Sequence, residues 1–109
     1  MDDSQGAARR RAIFQNGYTQ AESLIGRLSP EELRLRRRDV LVDFPDGLRE
    51  LADLGASSET CRQDIYRQAA DVEWQGRAYW DGVAAWAREH RPDLGGLFAA
   101  DGAAPTQTT

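Results

Sequence analysis

The hydrophobic pattern is clearest between Ser57 and Arg91. From Ile65 the chain steps by four and three through Ala69, Val72, Gly76, Tyr79, Val83 and Trp86 to His90. That alternation keeps side chains on one face of an α-helix. Tyr66, Trp80, Ala84 and Ala87 widen the face, so packing against several helices is expected rather than a two-stranded seam. Ser57 or Ser58 supplies an N-cap oxygen and Glu59 suits the positive end of the helix dipole. Arg88, His90 and Arg91 suit the negative end, and Pro92 blocks continuation. The pattern predicts one rod over residues 58–91, roughly 50 Å long at ~1.5 Å per residue.

Two residues stand out along that rod. Gly76 lies on the apolar stripe, where a helix-interior glycine costs about 1 kcal/mol against alanine. Close approach by another helix is the expected compensation. Trp74 points away from the stripe at ~100° per residue, among Arg67, Ala70, Asp71, Arg77 and Asp81. A large aromatic on a charged face is either covered by another part of the chain or offered to a partner.

The rest of the chain also reads as helix. Residues 1–6 read as a disordered lead. Phe14, Tyr18, Ala21, Ile25 and Leu28, with Ile13 and Leu24 beside them, predict a first amphipathic helix over residues 7–28. Ser29-Pro30-Glu31-Glu32 is a capping-box signal: Ser29 caps, Pro30 takes the first helical position and Glu32 reaches back. A second helix comes next, with Leu33, Val40, Leu41 and Phe44 as its inward residues. Asp39–Phe44 also alternates like a short strand, but has no second strand to pair with. Phe44-Pro45-Asp46-Gly47 predicts a turn or the start of a helix. A short third helix, Leu48 to Leu54, presents Leu48, Leu51, Ala52 and Leu54, and Gly55 is expected to end it as a left-handed cap. Beyond Pro92, Leu94, Leu97 and Phe98 are expected to fold back, over Trp74. Residues 101–109 read as a disordered tail. The expected architecture is all-α: one four-helix domain over residues 7–100, with the long helix as its spine.

Composition narrows the function. The 109 residues suffice for one domain with a modest core. No apolar run is long enough to span a membrane, and the polar opening Met-Asp-Asp-Ser does not read as a secretory leader, so a cytoplasmic location is expected. Cys61 is the only cysteine, which excludes an intrachain disulfide and a multi-cysteine metal site. The net charge of −4 is uneven. Residues 1–49 carry nine Arg against eight acids, and residues 50–109 carry five Arg against ten. An acidic balance argues against sequence-independent nucleic-acid binding, and the asymmetry permits self-association or steering toward a charged partner.

Catalytic motifs are absent: there is no phosphate-binding glycine loop, no paired histidines and no nucleophile elbow. His90, the only histidine, sits where a helix C-terminus stabilises an imidazolium. Cys61 reads as a small buried residue rather than an activated thiol. No enzyme activity, cofactor or metal is therefore expected. Arg9-Arg10-Arg11 reads as a solvated stretch, or as a contact for an anion or an acidic partner. Arg34, Arg36, Arg37 and Arg38 form a second cluster, offset by Glu31, Glu32, Asp39 and Asp43.

The run from Glu50 through Leu51, Ala52, Gly55 and Ser58 to Tyr66 resembles the helix-turn-helix of bacterial regulators. The resemblance implies DNA binding within residues 48–67. Ser58, Glu59, Arg62 and Gln63 would then read base edges, with Arg36, Arg37 and Arg67 near phosphates. The first helix is one residue short before the glycine, and the second runs on far beyond a recognition helix. Trp74-Gln75-Gly76 is similar to the Trp-x-Gly turn of small secreted helical-hairpin proteins, which implies a chain reversal where the apolar stripe implies none. The expected function is binding another protein, as an inhibitor, adaptor or assembly accessory. Trp74 and Arg77 are the expected anchors, and Arg34, Arg37 and Arg38 a second contact. Regulation by DNA binding is the alternative, and homo-oligomers are compatible with either.

Overall fold

Helix accounts for the fold in the computed structural model, which describes residues 2–99. Helix α1 spans Asp2–Arg27, α2 Pro30–Arg38, α3 Phe44–Gly55 and α4 Glu59–His90. A π-helical turn, Asp39–Asp43, joins α2 directly to α3. A 3-10 turn, Pro92–Leu94, leads into the five-residue α5, Gly95–Ala99. No strand occurs among the described residues. The all-α domain with a long helix as spine is as expected. The supposed disordered lead differs, because α1 is already helical from Asp2. The tail 101–109 lies outside the described residues.

The helix ends obey their local chemistry. Ser29 accepts from the Glu32 amide at 3.1 Å and the Glu32 carboxylate accepts from the Ser29 amide at 2.8 Å, completing the capping box. Ser58 caps α4, accepting from the Cys61 amide at 3.1 Å. The α4 helix stops at His90, two residues before Pro92.

Between Pro30 and Gly55 the expected break is missing. Pro45 lacks an N–H and its ring crowds the carbonyl four residues back, which ordinarily kinks or ends a helix. The wider turn just before it, with the Phe44 amide donating to the Asp39 carbonyl, lets the helix run on. Pro45 ends fully buried and Phe44 exposed. Gly55 remains helical, and the extended Ala56 ends α3 instead of a left-handed cap. Ala52 faces inward, whereas Leu51 and Leu54 face solvent.

The spine α4 is the surface on which the others pack. Trp80, Val83, Ala84 and Ala87 form one cluster with Ala21 and Ile25 of α1, Leu33 of α2, and Leu94 and Phe98. The C-terminal segment thus folds back as expected, but onto Trp80 rather than Trp74: the Trp80 and Phe98 rings lie 6.4 Å apart. Helix α1 runs in the same direction as α4, from Arg10 beside Trp74 to Tyr18, whose hydroxyl donates to Glu89. Helix α3 runs antiparallel to α4, from Gly76 beside Val40 to Arg62 bonded to Asp53.

Glycines set the separations. A Cβ on Gly17 would overlap the Tyr79 carbonyl, and one on Gly82 would overlap the Phe14 carbonyl. The backbones of α1 and α4 therefore touch, and no rotamer change can make room. Gly76 meets a side chain instead, Val40 Cγ1, as its place on the apolar stripe predicted.

Gly17→Ala or Gly82→Ala is expected to lower unfolding stability by about 3 kcal/mol or more, since two backbones must part. Gly26→Ala, near the end of α1 with nothing within 4 Å, is expected to range from no change to a gain of ~1 kcal/mol. Urea unfolding followed by circular dichroism measures both.

Candidate functional site

The outward indole of α4 is flanked by α1. The guanidinium carbons of Arg9 and Arg10 lie 5.5 and 5.3 Å from the centre of the Trp74 ring, within cation–π reach. The Trp74 Nε1–H donates to Asp71 one turn earlier at 3.3 Å. Beside the ring is an open cleft of about 350 Å³, lined by Arg10, Phe14, Trp74, Arg77 and Asp81 among others. Trp74 is thus half-covered by its own chain, with one side of the ring on the cleft. Arg9 and Arg10 belong to this site, and sequence periodicity missed that, because it does not say which residues of α1 pass beside Trp74. The only signal was the Arg9-Arg10-Arg11 run itself.

The cleft lining sets Arg10 and Arg77 against Glu73 and Asp81. Glu73 is engaged from below, accepting from Arg49 Nη2 of α3 at 2.6 Å. Arg49 also donates to Asp46 at 3.0 Å, and the paired Glu73 holds its guanidinium more firmly protonated than usual. Among the described residues, neither Arg10 nor Arg77 has a carboxylate in ion-pair reach. With Glu73 taken by Arg49, the mouth offers Arg10 and Arg77, with Asp81, beside two aromatic rings.

The other predicted contacts separate. Arg34 and Arg38 are exposed, paired with Glu31 at 2.7 Å and with Asp43 at 3.6 Å. Arg37 is only 9% exposed. It lies four residues from both Leu33 and Leu41 on the inward line of the helix, so it does not share the outer face with its neighbours. Arg36 borders a small apolar recess with Leu24, Val40 and Tyr79.

The residues proposed as DNA readers are committed to one another. Arg62 donates to Glu59 at 3.2 Å and to Asp53 at 3.1 Å, and Gln63 donates to Glu59 at 3.1 Å. The Tyr66 hydroxyl donates to both Asp53 oxygens, at 2.9 and 3.0 Å, and Ser58 is spent on the cap. Arg67 pairs with Asp64 at 2.7 Å. Asp53 meeting Arg62 and Tyr66, Arg49 meeting Glu73, and Val40 meeting Gly76 trace an antiparallel hairpin of long helices. A helix-turn-helix instead sets its helices at about 90–120°. The single chain direction through Trp74-Gln75-Gly76 likewise differs from a Trp-x-Gly turn.

His90 stacks on Trp86 at 4.4 Å between ring centres, with Nδ1 3.0 Å from the Trp86 carbonyl. Cys61 is a free, half-buried thiol. Among the described residues no group of three or more His, Cys, Asp or Glu is placed to hold a metal, and no helix is long and apolar enough to cross a membrane. Comparison with models of protein families, with characterised proteins and with solved structures finds no match.

The hydrogen bonds from Arg62 and then Gln63 hold the Glu59 carboxyl below its usual range. A depressed native pKa stabilises the fold fully above the ordinary carboxylate range, and that contribution is lost as pH falls through the native value. In Arg62→Ala the Glu59 titration, followed by carboxyl-carbon NMR, is expected to move up toward the ordinary range.

Proposed function

We propose that the chain is a non-enzymatic helical interaction domain that binds another protein through the Trp74 cleft, as an inhibitor, adaptor or assembly accessory. The observation that supports this reading is the half-exposed indole between cationic side chains of two helices, with an open cleft beside it. Tryptophan and arginine carry a disproportionate share of binding energy at protein interfaces. Arg10 and Arg77 favour a segment with carboxylates, and Phe14 and Trp74 favour an apolar or aromatic anchor. The partner is therefore an acidic segment with one large apolar side chain. Charge steers the encounter, and burial of the anchor sets the dissociation rate.

The test is selection from a random peptide library against the purified chain. Selected peptides are expected to be acidic with an aromatic or large aliphatic residue. Binding should weaken about tenfold or more in Trp74→Ala and in Arg77→Ala, and should fall with added salt. The Trp74 indole N–H resonance should shift on binding. Peptides that bind both variants as well as the wild type would contradict the reading, and a destabilised Trp74→Ala would then leave the indole a structural role. Duplex DNA is the control ligand: tight, salt-sensitive binding abolished by Arg62→Ala with Arg36→Ala would favour the regulator reading instead.

A further inference from the structure

A second recess opens where the π turn meets α4, lined by Trp80 and not by Trp74. Its floor is the buried pair Gly76 and Trp80. Its walls are the half-buried Leu24 of α1, Val40 of the π turn and Tyr79 of α4. The volume is about 240 Å³, the space of roughly eight waters. The aromatic wall is held in place. The Tyr79 and Trp80 rings meet edge to face with centres 5.9 Å apart, and the Tyr79 hydroxyl donates to Gln20 at 2.6 Å. Widened turns inside helices recur at functional sites, and here the turn supplies a wall.

The charge at this recess has one sign. Arg36 is the single charged residue of the lining. Its neighbours Arg34 and Arg38 pair with Glu31 and Asp43. Among the described residues no carboxylate lies in ion-pair reach of Arg36, Asp39 one turn on included. Arg27 adds a second positive charge. Burial raises the Tyr79 pKa and the charge of Arg27 opposes it, which sets Arg27 near the same ring. The lining of the Trp74 cleft contains Glu73 and Asp81, whereas that of this recess contains no acid.

Apolar walls with a few polar groups that fix orientation are what small-molecule sites consist of. A guanidinium matches a carboxylate through two parallel N–H bonds. We propose that the recess binds a small amphipathic carboxylate of roughly ten non-hydrogen atoms. Its aromatic or branched aliphatic body lies against Leu24, Val40 and Trp80, and its carboxylate meets Arg36. The site does not rest on the Trp74 cleft, since the two share no lining residue.

NMR titration of the full chain with four probes tests it: benzoate, cyclohexanecarboxylate, acetate and benzylamine. The two larger acids are expected to shift the Trp80 indole N–H and the Leu24 and Val40 methyl resonances, with a Kd near ~1 mM. The Trp74 indole N–H should stay in place. Acetate lacks the body and benzylamine reverses the charge, so each should bind at least tenfold more weakly. Arg36→Gln should weaken benzoate at least tenfold with circular dichroism unchanged, because Arg36 is exposed. Arg34→Gln should bind benzoate like the wild type. Acidic peptides should still bind Arg36→Gln at Trp74, so failure of the cleft and failure of the recess are read apart. Three results would each overturn the proposal: no shift at Trp80 up to roughly 10 mM benzoate, undiminished binding in Arg36→Gln, or equal shifts with benzylamine.

Discussion

Contact between the backbones of α1 and α4 is the constraint on which the other features depend. Gly17 and Gly82 let the two helices touch with no side chain between them. That closeness brings Ala21 and Ile25 of α1 into the cluster around Trp80 and Val83. It also fixes the direction of α1, so that Arg9 and Arg10 arrive at Trp74 and Tyr18 reaches Glu89. A glycine costs about 1 kcal/mol in a helix interior. Burial of even one large apolar side chain, at roughly 1.5–3 kcal/mol, exceeds that cost. The candidate site is therefore a product of the helix crossing, since neither α1 nor α4 holds it alone.

The second organising feature is the π turn ahead of Pro45. It keeps two helices continuous where a proline would separate them, and it rotates α3 about the shared axis. Pro45 and Ala52 come to face α4 while Phe44, Leu51 and Leu54 come to face outward. Helix α3 packs on α4 through small side chains and the Arg49–Glu73 pair.

Much of this was legible in the amino-acid pattern. The four-and-three spacing from Ile65 to His90 identified the spine, the Ser29-Pro30-Glu31-Glu32 signal located the start of α2, and Gly76 on the stripe marked a close approach. The differences have separate physical causes. Angular bookkeeping at ~100° per residue assumes an α-helix throughout, and it loses register across the π-helical residues Asp39–Asp43. That accounts for Phe44, expected to face inward and found exposed; Leu51 and Leu54 lie wholly after the turn and Arg37 before it, and there residue type, apolar or basic, suggested the wrong face. The Trp74 surroundings were not legible for another reason. Periodicity shows which face of a helix is apolar, but not where along its length a second helix crosses it.

The Trp74 cleft requires an unbroken α4 through Gln75 and Gly76, since only then do Trp74 and the core stripe occupy opposite sides of one rod. Spin labels at Arg67→Cys and Arg88→Cys in a Cys61→Ser background measure this directly by pulsed electron–electron distance spectroscopy. Continuous helix between the two positions predicts a single narrow distance near ~32 Å between backbones. A population centred near ~15 Å or below, as a reversal at Gly76 would give, contradicts the account.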